Sequence, residues 1–539
     1  MALVFLVVIF ISSFIASLAL ARWLFLRLET WEPLDRLIAA STPVVVLILS
    51  ALLLREFVSS PFRDQNSPLL TPTFALVQGY QIYYGPDSGP ALGTPYGPIN
   101  SLSYLPATIA SSPTIAIIIA EFLAISFYFL PILWLHIGEY WHNSHRLKIA
   151  GYVFLLFCFF TINSSALKGP AFMIHADAPA MGLSAAACAV LYYRKRKDSI
   201  ASLLLSSVLA VLAVWTKQVT VPLLVALPTY ILLADGFRCA VRYILCLVVS
   251  GSLISTLLLS LFNTKALIFN MFTVPSQTPW IGFGSGAVKA WSFKGIVSLV
   301  FVAQNLLDRT LWLWIIVAIY IGYQLLLSSE HKTTIRDWLN QNRWFMLVIV
   351  SLYMMPISLL QLVKIGGNDN AYGYTVYFLL TAANLALIKA ATESTSVYSQ
   401  FTQTIAKLFV FLMVIGIALI QIPSIAPIFV RLPKLGDNPQ EVAYNYAKKH
   451  PGEAYFPWNP LSTFMAEGKL YHWSYKIYEL EEAKFKVSNE RFRQYIPANA
   501  KFVAFSSRLV LENTLQYLPD FSKRVTVDEL PGWIVYARD

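Results

Sequence analysis

The chain has 539 residues, 57% of them hydrophobic and 13% charged, and 40 Lys and Arg against 29 Asp and Glu give a formal charge of +11. Mean hydropathy is +0.60. A soluble protein carries roughly 25% charged residues, so a soluble enzyme and intrinsic disorder are both excluded. The basic excess lies in short loops and forms no stripe of the kind that binds nucleic acid.

Apolar stretches recur at the length needed to cross a hydrocarbon core about 30 Å thick. They lie near 2–21, 37–56, 114–137, 149–167, 180–193, 200–216, 219–236, 242–262, 310–328, 344–363, 374–391 and 408–429. The expected fold class is an α-helical polytopic membrane protein of about twelve spans, with a small C-terminal α/β domain. Residues 2–21 end in Ala-Leu-Ala, as a cleaved signal does, but no basic region leads them, which favours a retained helix.

The loops orient the spans. Arg22, Arg27, Arg36, Arg146, Lys148, the run Arg194 to Lys197, Arg238, Arg242, Lys332, Arg336, Arg343, Lys389 and Lys407 all fall on one side in simple alternation. The positive-inside rule makes that side the cytoplasm. Both termini then lie outside, in what the sequence favours as a bacterial plasma membrane, since the outer domain has no cysteine.

Four segments collect on the outer side. The first, 57–113, is rich in Pro, Gly and Tyr, and its apolar runs at 69–82 and 99–110 read as interfacial helices. The others are KGPAFMIHADAPAM at 168–181, a long connection at 263–309 bearing Trp280 and Trp291, and KIGGNDNAYGY at 364–374. Residues 1–430 therefore form a membrane domain. Residues 431–539 read as a soluble extracytoplasmic module, with EAYFPW, KFVAF and GWIVYA as strands and KIYELEEAKFKVSNERFRQYI as helix.

Candidate chemistry gathers at the outer rim. Asp64 and Asp177 are carboxylates beside apolar segments, each either a proton acceptor or ligand or a cap in a turn. Lys217, Lys364 and Glu121 are charges at membrane depth, where charge is costly and tends to be functional. A lysine there either grips a phosphate or snorkels to the interface. His175 is a metal ligand, a proton donor or an ordinary hydrogen-bonding group. In GGNDN, the glycines allow close backbone approach, and Asn368 and Asn370 offer donors and acceptors to hydroxyls. Tyr96 belongs to an interfacial aromatic belt, to a sugar-stacking surface or to an entry for an isoprenoid tail. Cys158, Cys188, Cys239 and Cys246 sit in or beside spans, and no CxxC or HExxH pattern marks a metal site.

The order of elements resembles the GT-C superfamily of integral-membrane glycosyltransferases, of the protein O-mannosyltransferase and lipid A aminoarabinose transferase type. The likeness runs through FRDQNSPLL around Asp64, TPYGPINSL at 94–102, HADAPAM at 175–181, the Thr216-Lys217-Gln218 triplet and the GGNDN segment. Many relatives carry Asp-Glu in the first loop, where this chain has Asp64-Gln65, which weakens a metal role for that pair; a divalent metal stays open. The resemblance implies sugar transfer from a polyprenyl-phosphate-linked donor to a glycan, lipid or protein acceptor. It implies Asp64 as the base, Asp177 as its support or the acceptor's, and Lys217 and Lys364 on the lipid phosphate. The alternative from the residues alone is a lipid or solute transporter using the same intramembrane charges.

Overall fold

The computed structural model describes residues 2–29, 31–197, 199–282, 286–328, 334–392, 397–506 and 512–539. Lys332 and part of the 263–309 connection lie outside the described residues. Among those residues, nine helices are long and apolar enough to cross a membrane, or ten if one bent pair counts as a single span. Every expected span overlaps a helix, from Ala2–Arg27 through Val397–Gln421. Ile200–Thr216 is apolar but falls short of spanning length on that measure.

Local chemistry explains where these helices begin. Ser112, Asn143 and Ser199 each accept a hydrogen bond from a backbone N–H of the first turn of Pro113–Ile137, Ser144–Asn163 and Ile200–Thr216. That satisfies donors the helix cannot reach by itself. Gly373–Thr392 is buried almost all round and forms the centre of the bundle, as expected of a helix apolar on every side. Ala-rich Asp177–Tyr193 is buried along most of its length and packs against Pro113–Ile137 and Ile200–Thr216. Small side chains at such a contact let the backbones come close.

Several expectations need correction. The ninth span starts well before residue 310, because Phe293–Ser328 is one continuous 36-residue helix. Ahead of it, the long connection contains a hairpin of β1 (Trp280–Gly282) and β2 (Gly286–Val288). The first loop differs too. Asn66–Val77 is buried on nearly every face and packs against Pro460–Glu467, so protein covers it where a membrane surface was expected.

The C-terminal module is a four-stranded sheet of β3 (Ala454–Tyr455), β4 (Phe502–Phe505), β5 (Lys523–Val525) and β6 (Ile534–Ala537), in the order β3-β4-β6-β5. Only the β3–β4 pair is parallel. The single helix expected over 476–496 is two, Ser474–Glu482 and Asn489–Gln494. Lys484 ends the first with a positive φ of 66°, and Ser488 caps the second by accepting from Arg491 N–H. The module is tied to the first loop by Arg491, whose guanidinium donates to the carbonyls of Gly85, Pro86, Ser88 and Gly89.

Candidate active site

Ser165–Phe172 and Asp177–Tyr193 meet at a bend of 97°. The elbow places Asp177 at the first residue of its helix, fully buried. Four side chains close around its carboxylate. Lys217 Nζ lies 2.5 Å from Oδ1, and Tyr374 donates to Oδ1 at 2.9 Å. His175 Nδ1 lies 2.6 Å and Asn370 Nδ2 3.2 Å from Oδ2.

Each partner arrives from a different segment for a local reason. Lys217 ends Ile200–Thr216 in extended conformation, and a tight turn over Gln218–Thr220 follows it. That turn aims the ammonium inward, at the helix end that favours a cation. Its Nζ also stands 5.3 Å from the Tyr96 ring centre and 5.7 Å from that of Tyr374. Asn370 and Tyr374 come from the GGNDNAYGY turn, where Gly366 takes φ +81°, a conformation glycine adopts at no steric cost.

Tyr96 closes the ring from the first loop. Its hydroxyl is 2.5 Å from His175 Nε2. Burial raises the Tyr96 phenol well above its ordinary pKa, and the Asp177 charge adds to this. His175 thus bridges the neutral phenol, at Nε2, and the Asp177 carboxylate, at Nδ1. Gly97 sets this contact, because a Cβ there would stand 1.8 Å from the Trp215 carbonyl oxygen. Its own N–H donates to Thr216 O at 3.1 Å.

The assembly forms one wall of a cavity of about 570 Å³ that also takes in Lys364, Asn368 and the C-terminal helix Ser474–Glu482. Lys364 Nζ donates to Pro275 O at 2.6 Å and has no carboxylate partner among the described residues. Its burial lowers the ammonium's pKa below the ordinary lysine value. Asp64 is elsewhere. It does not line the cavity, although Gln65 does, and its Oδ1 accepts from Ser506 at 3.2 Å. Glu121 accepts from Ser60 at 2.8 Å and pairs with Arg63 at 3.2 Å. Among the described residues, no three His, Cys, Asp or Glu side chains converge to hold a metal.

Sequence reasoning left out Tyr374 and Arg309. Arg309 Nη1 donates at 2.8 Å both to Asp369 and to Ser165, two residues of the cavity rim. An arginine inside the apolar run LLDRTLWLW was the available signal.

No protein-family model and no curated protein matches the sequence. Among solved structures, the chain is similar to ArnT from Cupriavidus metallidurans bound to undecaprenyl phosphate. The TM-score is 0.52 at 14% identity, over 92% of this chain and 98% of that one. The chain shares the fold of that structure. A weaker likeness links it to the archaeal oligosaccharyltransferase AglB of Archaeoglobus fulgidus, in complex with an inhibitory peptide and a dolichol-phosphate. There the TM-score is 0.41 at 12% identity, over 85% of this chain and 69% of that one.

Proposed function

We propose that the chain is a glycosyltransferase that moves a sugar from a polyprenyl-phosphate-linked donor to an acceptor hydroxyl at the outer face of a membrane. The observation that carries this reading is the cavity where membrane helices, the first loop and the C-terminal module bring Asp177, Lys217 and Lys364 to one space, in a fold shared with a protein solved with undecaprenyl phosphate. The fold favours a transferase over a transporter.

In this reaction the acceptor oxygen attacks the anomeric carbon as the bond to the phosphate oxygen breaks. The phosphate leaves with the electron pair, and the acceptor proton passes to a carboxylate. The leaving group gains charge, so a cation fixed near it lowers the barrier. Of the two lysines expected to grip the phosphate, Lys364 suits the role better. Lys217 is already neutralised by Asp177, whereas Lys364 spends its charge only on a carbonyl.

Asp177 has four partners and suits the work of a fixed anchor. The resemblance assigns the base to Asp64, which stands outside the cavity beside its lining residue Gln65, so as base it would have to turn from Ser506 to an acceptor at that edge. Asn368, Asn370, His175 and Tyr96 shape the substrate side. Purified protein offered a panel of polyprenyl-phosphate sugars should release free polyprenyl phosphate in the presence of a suitable acceptor. Release from no donor in a broad panel would reject the reading.

A further inference from the structure

The cavity wall supplied by the C-terminal module has chemistry of its own. Tyr475, Tyr478, Glu479 and Glu482 are spaced i, i+3, i+4 and i+7, and all four line the cavity. That spacing places them on one face of the helix Ser474–Glu482. Trp473, just ahead of the helix, lines it as well.

Charge along this wall is uneven. Lys476 neutralises Glu479 at 3.1 Å. Glu482 has no cationic partner among the described residues and lies one helical turn from Tyr478. Elsewhere in the cavity Lys364 is the cation without a carboxylate partner. A ligand filling the space meets a positive site at Lys364 and a negative one at Glu482. A phosphate or carboxylate is favoured at the first and repelled at the second.

Trp473 anchors an aromatic row along this wall. It is only 4% exposed. The benzo edge of the ring packs on Gly93, where a Cβ would stand 3.1 Å from Cζ3. The Tyr475 ring lies 5.3 Å from that of Trp473 and 6.0 Å from that of Tyr478, which makes a short aromatic row with two phenols. The Tyr475 hydroxyl comes within 3.0 Å of where a Gly366 side chain would begin, so the glycine keeps this seat open.

An aromatic surface edged by hydroxyls and one uncompensated carboxylate fits a hydroxyl-rich ring that carries no negative charge. We propose that Trp473, Tyr475, Tyr478 and Glu482 form a subsite for an uncharged carbohydrate, which is the acceptor of the transfer reaction. The assignment of the sugar as acceptor rests on the glycosyltransferase reading; the subsite itself does not.

The test is saturation-transfer NMR on the full chain in nanodiscs, with methyl glycosides of glucose, galactose and mannose and with methyl glucuronide. At least one neutral glycoside should give signal, and the anionic glucuronide should give little. Tyr475→Phe and Glu482→Gln keep the packing, and each should weaken the neutral glycoside at least tenfold, while undecaprenyl phosphate still binds. The subsite is overturned if no neutral glycoside binds the wild type, if the variants bind it unchanged, or if glucuronide binds better. Glycoside binding without transfer from any polyprenyl-phosphate sugar would overturn the enzymatic reading and leave the subsite standing.

Discussion

The Lys217 ammonium lies 2.5 Å from Asp177 Oδ1, with both residues buried. Neither charge has water to fall back on, so each depends on the other. Removing one partner of a buried pair leaves an uncompensated charge and costs about 3–5 kcal/mol. Lys217→Met and Asp177→Asn are each expected to destabilise by that order. The double variant should lose clearly less than the sum, because the stranded charge is gone. Thermal unfolding of the purified variants reads this directly, and strictly additive losses would show that the two residues do not act as a pair.

Lys364 is expected to set affinity for the lipid phosphate. Lys364→Met should weaken undecaprenyl phosphate binding at least tenfold, about 1.4 kcal/mol. Its packing in the turn changes little, so stability should hold. The pH dependence has a defined sign. Burial lowers this ammonium from the ordinary value of 10.5, so as pH rises it loses its proton, and the phosphate its partner, earlier than an exposed lysine would. Lys364→Arg should keep binding to higher pH. An unchanged affinity in Lys364→Met moves the phosphate to another cation.

Asp64 and Asp177 should give different signatures when neutralised. Asp64→Asn is expected to abolish transfer, by a factor of about 10² or more for loss of a base, while the fold and lipid binding stay intact. Asp177→Asn should lose stability together with activity. Full transfer by Asp64→Asn would remove it as the base and direct attention to the carboxylates that line the cavity.

Much of the site was legible because charge is rare in this chain. Asp177, Lys217 and Asn370 each interrupt apolar or small-residue sequence, and the structure brings all three into contact. Helices were legible for the same reason, since a membrane enforces length and apolarity. Position was harder to read. Nothing in FRDQNSPLL tells that Gln65 lines the cavity while Asp64 meets Ser506, a residue 442 positions away. Asn66–Val77 has the composition of an interfacial helix, and only the arrival of Pro460–Glu467 decides that protein covers it. The break at Lys484 was missed because the KIYELEEAKF run keeps helical periodicity across it.

Gly97 offers a test of how closely the first loop must approach the Lys217 turn. A Cβ there would stand 1.8 Å from Trp215 O, a backbone atom that cannot swing aside. Gly97→Ala should therefore push Tyr96 off His175 and destabilise by about 1–3 kcal/mol, the usual cost of overpacking. Gly416→Ala is the control. It lies within the helix Val397–Gln421, and a Cβ there would meet nothing within 4 Å. Alanine is the better helix former by about 1 kcal/mol, so that variant should be neutral or more stable. Equal effects of the two changes would sink the close-approach account.

His472 couples the C-terminal module to the first loop in a way that depends on pH. The Ala91 N–H donates to Nδ1 at 2.8 Å, which makes Nδ1 an acceptor, and Nε2–H is left to donate to Arg491 O at 3.3 Å. The ring is fully buried. Burial first, and the nearby Arg491 charge after it, hold its pKa down at about 3. An unfolded histidine titrates near 6.5. Above that pH neither state binds the proton, and His472 leaves stability independent of pH. As pH falls below about 6.5 the unfolded chain gains a proton that the native site refuses, so stability drops progressively towards about pH 3. Protonation also sets two N–H groups against each other at Ala91, which loosens the loop that Arg491 clamps. His472→Asn retains an acceptor for Ala91 without a titrating ring. Its melting temperature should fall less steeply with acidification than that of the wild type. The same contrast should appear in proteolysis of the loop around residues 85–91, where the acidified wild type is cut faster. Parallel curves for the two proteins across this pH window would remove His472 as the coupling group.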